Sequence, residues 1–201
     1  MSDLEKVIED LIKKRKSLAT KVEKETSEVN QNSSFNIDFD KIADSNDKTV
    51  KETLVHKKEI IKHLQAAKVS HKKWMSFVQI LIRLGNIETA NTSIPINYTM
   101  CDFGNWYYGE GQILTIFSEY EQMEDIHKNV HDTYLQIYEL YVNPIKGSLF
   151  NSEKSQLASR NKKALVLSQI LDEYSKIMYD LLVSVENSVK KMSDEELKNL
   201  L

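Results

Sequence analysis

Apolar residues recur along this chain with the 3.6-residue period of helices, in runs separated by a few polar stretches that hold the glycines and prolines. From Leu4 to Val29 a 4-3 spacing passes through Leu4, Ile8, Leu11, Arg15, Leu18, Val22, Glu25 and Val29. This is the pattern of a coiled-coil-like helix. Its stripe is narrow and interrupted at Arg15 and Glu25, so it is expected to pack on a partner helix, in its own bundle or in a second copy. The stretch from Asn30 to Asp47 is rich in Asn, Ser and Asp, with short apolar islands at Phe35, Ile37, Phe39 and Ile42, and reads as a linker. A long helix is predicted from Lys48 to Leu84, its face formed by Leu54, Ile60, Ile61, Leu64, Ala67, Val69, Trp74, Phe77, Val78 and Leu81, with Gly85-Asn86 as the stop.

Ile87 to Thr99 reads as a connection containing Pro95, and the next helix is expected to begin near Cys101. Gly109 to Gly111 weaken that helix before a stronger run from about Leu114 to Tyr141, closed by Asn143-Pro144 and Gly147. A last long helix is predicted over Glu153 to Lys191, and Ser193 to Leu201 reads as a short fraying tail. The expected organisation is all-α: an N-terminal amphipathic helix (1–34), a linker (35–47), a four-helix bundle (48–191) and a C-terminal tail (192–201).

Composition fits this picture. With only 5 Gly and 2 Pro in 201 residues, the chain lacks the turn punctuation of a many-stranded protein. Hydrophobic residues at 41% and charged residues at 28% are ordinary for a soluble globular protein of one domain. A net charge of -3, with basic residues spread among acidic ones, leaves no footprint for nucleic acid. No stretch approaches the roughly 18 uninterrupted apolar residues of a membrane span, and the start has no leader pattern, so a cytoplasmic protein away from membranes is expected. The single cysteine, Cys101, cannot form an intramolecular disulfide, which fits a reducing compartment and directs attention to thiolate chemistry.

That chemistry has partners. His127 and His131 lie four apart in a predicted helix, so their rings project from one face about a turn apart. Cys101 falls at the predicted start of the preceding helix and His71 within the long helix before that. Three imidazoles and one thiolate are the donors zinc favours in a closed tetrahedron, and a closed site is structural or regulatory. Hydrolytic zinc keeps a position for water, so this donor set argues against an enzyme. A thiol at a helix start near a cation is expected to lose its proton more easily, which couples metal binding to redox reactivity.

The same residues resemble a known family. His71-Lys-Lys-Trp74, Cys101-Asp-Phe-Gly-Asn-Trp-Tyr107 and His127-x-x-x-His131, in that order, look like the His-x-x-Trp, Cys-x-Phe-Gly-x-Trp and closing His-pair elements of the chemoreceptor zinc-binding domain. The resemblance extends over roughly Lys48 to Val189. It implies a four-helix bundle, often dimeric, that binds zinc through the positions of His71, Cys101, His127 and His131. It also implies a cytoplasmic sensory module of bacterial chemoreceptors and cyclic-dinucleotide synthases, responding to zinc or to oxidants such as hypochlorous acid. The chain departs from those proteins in having neither a methyl-accepting hairpin nor a nucleotide cyclase domain. Two functions follow as expectations: a zinc-binding sensory or regulatory protein acting as a homodimer or on a chemoreceptor or other signalling protein, or a structural zinc-stabilised scaffold for protein–protein interaction.

The remaining candidates have quieter readings. His56 and His63 share a stripe with His71, but eight residues of helix rise about 12 Å, beyond one coordination sphere. Glu124 with His127 forms a Glu-x-x-His half-motif of di-iron bundles, without its second copy. Trp74, Phe103 and Trp106 are expected as packing around the metal, and Gly104 as a close approach for another helix. Glu124, Asp125 and Asp132 are candidates to orient a ring nitrogen. Lys13-Lys-Arg-Lys16 reads as solubility or pairing with acidic neighbours.

Overall fold

The computed structural model describes residues 3–32, 48–84, 95–143, 145 and 152–200. Among these residues there are six α-helices, one 3₁₀ turn and no strands: α1 (Asp3–Asn32), α2 (Lys48–Leu84), α3 (Asp102–Tyr108), the 3₁₀ turn (Glu110–Leu114), α4 (Ser118–Val142), α5 (Glu153–Lys191) and α6 (Asp194–Leu200). The all-α bundle read from the periodicity is therefore the fold. The predicted linker at 35–47 and the stop signals at Gly85-Asn86, Pro144 and Gly147 lie outside the described residues.

Helix α5 is the hub, against which α1, α2 and α4 all pack. Its apolar face supplies Leu171, Ile177, Met178, Leu182, Val185 and Val189, all fully buried. Burying each such side chain stabilises the fold by about 1.5–3 kcal/mol. The start of α5 is fixed by Ser152, whose side chain accepts the Ser155 N–H. Two apolar clusters result, one around Leu64, Tyr120, Met123 and Leu182, the other around Trp74, Val130, Tyr134 and Leu171.

Helix α1 folds back on its own bundle, along α5. The two positions that interrupted its apolar stripe have partners there. Arg15 Nε lies 2.8 Å from Glu173 Oε2, and Ser184 Oγ donates to Glu25 Oε2 at 2.9 Å. Asn187 Nδ2 donates to Thr26 Oγ1, Lys191 pairs with Glu28, and Lys21 pairs with Glu119 of α4. Leu11 enters the core between Ile8 and Leu18 at its margin. Glu173 is buried, so a shifted register that removed Arg15 would leave its carboxylate with Lys176 of its own helix but without the pairing on Oε2, a costly arrangement.

The expected fraying tail needs correction. Residues 194–200 form α6, which begins with a reciprocal capping box: Ser193 N–H donates to Glu196 Oε2 at 2.7 Å, and Glu196 N–H donates to Ser193 Oγ at 3.2 Å. Leu197 is fully buried and α6 rests on α2, which holds the segment down. Lys57 of α2 donates to the Met192 carbonyl at 2.7 Å, closing the end of α5. The Ser-x-x-Glu pattern was present in the sequence, but shortness and position made the segment read as an end.

Candidate metal centre

The centre is built where α2, α3 and α4 meet. His127 and His131 project from one face of α4, their ring centroids 4.7 Å apart. Cys101 caps α3 at its N-terminus, where its sulfur accepts the Gly104 N–H at 3.2 Å. That cap directs the sulfur inward: Cys101 Sγ and His127 Nε2 lie 3.3 Å apart. The ligand atoms of Cys101, His127 and His131 all fall within 4.8 Å of one another, and all three residues are buried. His71 lines the same cavity, of about 150 Å³, but its ring is not in that trio; its Nε2 shares a hydrogen bond with Ser175 Oγ at 2.8 Å. Of the four residues picked from the sequence, the structure thus brings three into one cluster and places the fourth in the same cavity.

The turn before α3 does much of the positioning. Asn97 Oδ1 accepts from both the N–H and the hydroxyl of Thr99, and Met100 N–H returns to the Asn97 carbonyl at 3.1 Å. This turn points the Ile96 carbonyl at His131, whose Nδ1 donates to it at 2.9 Å. With Nδ1 carrying the proton, Nε2 is the nitrogen left for a cation. Tyr98 O meanwhile accepts the Cys101 thiol at 3.4 Å. Gly104 allows the turn to sit so close: a Cβ there would lie 2.1 Å from Tyr98 O and 2.8 Å from the Thr99 carbonyl carbon. The close approach expected at Gly104 is therefore real, but its neighbour is this turn rather than a helix.

Aromatic rings wall the donors. Phe103 meets His127 edge-on with centroids 4.5 Å apart, and Trp74 lies over His131 at 4.7 Å. Packing is thus the role of Trp74 and Phe103, as their spacing suggested. Burial holds the imidazoles neutral: His71 is pushed down to about 4, and His127 and His131 are lowered as well, in each case chiefly by loss of water. Neutral imidazoles can ligate without first releasing a proton.

Its place at the helix start does not by itself acidify Cys101. Burial pushes its thiol up, and the backbone N–H groups of Gly104 and Phe103 offset this only in part. The short helix is too weak an acidifier by itself, so an easily lost proton here needs a cation beside the sulfur.

The other titratable candidates are engaged elsewhere. Glu124 accepts the Tyr108 hydroxyl at 2.7 Å, and the ring-orienting acceptor for His131 is the Ile96 carbonyl rather than Glu124, Asp125 or Asp132. His63 sits 3.1 Å from Glu110, and His56 lies beside Glu59, both near the surface. Sequence reasoning missed Ile96, which acts through its backbone and leaves no signature, and Ser175. The latter had a faint signal, a polar residue between Leu171 and Met178 on the apolar face of α5.

The donor set suits zinc: soft thiolate and neutral imidazole, preformed in a buried cavity with one ring nitrogen already oriented. Among the described residues no helix is long and apolar enough to cross a membrane. No curated protein and no solved structure matches the chain. A family model does match, that of the chemoreceptor zinc-binding domain, over residues 71–138, a span that begins at His71 and includes Cys101, His127 and His131. Over those residues the chain is similar to the zinc-binding domain family that its three motifs resemble.

Proposed function

We propose that the chain is a cytoplasmic, non-enzymatic sensory or regulatory protein that holds one zinc ion through Cys101, His127 and His131, with His71 as the fourth ligand. The observation that carries this reading is the convergence of three buried donors within 4.8 Å in a segment matching a zinc-binding family. With four protein ligands no position remains for a reacting water, which favours regulation over hydrolysis.

Cys101 is the member open to chemistry. Bound zinc would lower its pKa and keep the sulfur as thiolate. Attack of that sulfur on hydrogen peroxide forms the S–O bond of a sulfenic acid as the O–O bond breaks and hydroxide leaves. A sulfenic acid is a poor zinc ligand and no longer offers the same cap to α3. The site would then loosen, and with it the packing of α3 and α4. Helix α1, docked on α5 through polar pairs, is the natural element to relay such a change to a second copy of this chain, a chemoreceptor or another signalling protein.

Treating the zinc-loaded chain with one equivalent of oxidant is expected to release zinc in step with loss of the Cys101 thiol, read with a chelating dye. Retention of zinc after the thiol is consumed would remove the sensory reading. The structural-scaffold alternative, favoured by the depth of the site, is distinguished in the same experiment, since a scaffold zinc would be retained.

A further inference from the structure

We propose that Ser175 of α5 competes with zinc for His71, so that taking up the fourth ligand releases a hydrogen bond between α2 and α5. This rests on the zinc-binding reading above and adds to it a route from the metal to the hub of the bundle. Three observations support it. His71 is buried, 4% exposed, so its ring nitrogens cannot rely on water. Its Nε2 is 2.8 Å from Ser175 Oγ. And while the other three donors sit within 4.8 Å of one another, His71 stands outside that set although it lines the same cavity.

Whichever partner donates, the bond holds the ring where neither of its nitrogens joins the set of donors within 4.8 Å of one another. Joining the cluster therefore requires His71 to give up Ser175. The seam around this bond has firmer partners. Lys68 pairs with Glu186, and Gln79 Nε2 donates to Asp172 Oδ1 at 2.7 Å, both across α2 and α5. The neutral His71–Ser175 bond is the exchangeable one between them. Any interaction that His71 makes only when it is off the metal weakens zinc binding by its own worth, and zinc weakens that interaction by the same factor. One buried hydrogen bond corresponds to about two- to tenfold.

The test is zinc affinity of the full chain, measured by competition with a chromophoric chelator, for wild type, Ser175→Ala, His71→Ala and the double variant. Ser175→Ala is expected to bind zinc about two- to tenfold more tightly. That gain should vanish in the His71→Ala background, because the serine acts through the ring. Equal or weaker binding by Ser175→Ala would overturn the competition, weaker binding making Ser175 a group that steadies His71 for ligation. A gain that persists without His71 would also overturn it. Absence of Cys101-dependent zinc binding in wild type is a different failure, that of the site itself.

Discussion

Replacing Cys101 by serine is expected to lower zinc affinity by at least about 100-fold while leaving the fold intact. Loss of a group that merely orients a metal-bound histidine already costs about 10- to 100-fold, so loss of a ligand itself should cost no less. Serine separates the two tasks that the thiol performs. Its hydroxyl can still accept the Gly104 N–H that now goes to Cys101 Sγ at 3.2 Å, so the start of α3 stays capped. What it cannot supply is a soft thiolate facing His127 Nε2. Alanine should lose both, adding about 1 kcal/mol of destabilisation from the missing cap. Chelator competition beside urea unfolding checks this; a serine variant with wild-type affinity would remove Cys101 from the site.

Gly104→Ala should be the most damaging substitution that replaces no ligand. The added methyl would fall 2.1 Å from Tyr98 O and 2.9 Å from Thr99 Cα, and both neighbours are backbone, which cannot rotate aside. Overpacking of this kind costs about 1–3 kcal/mol, and the upper end is expected here. The strain would not stay local. The turn it displaces contains the Ile96 carbonyl that holds His131 and the Tyr98 carbonyl that accepts the Cys101 thiol. Zinc affinity should therefore fall together with stability, unlike the serine variant at Cys101, where the two separate. Urea unfolding without metal gives the stability, and unchanged stability would contradict the close approach.

The helices were legible because each long one has an apolar face that must be buried. Glu153 to Lys191 and Lys48 to Leu84 were bounded from the sequence as the structure bounds them. Other features needed tertiary contacts. Arg15 and Glu25 looked like flaws in a stripe, and their partners, Glu173 and Ser184, lie far along the chain. Exposure was misread where a helix has an open side: Val69 and Phe77 belong to the predicted apolar face of α2 but are 66% and 40% exposed. At the centre, residue types and motif order named the donors. They could not say that His71 would be held by Ser175, or that a backbone carbonyl would orient His131, because both depend on how elements remote in sequence come to lie together.

X-ray absorption at the zinc edge of the purified, zinc-loaded full chain tests the central claim most directly. One sulfur at about 2.3 Å with three nitrogens at about 2.0–2.1 Å is the expected coordination. A zinc environment without sulfur would contradict it.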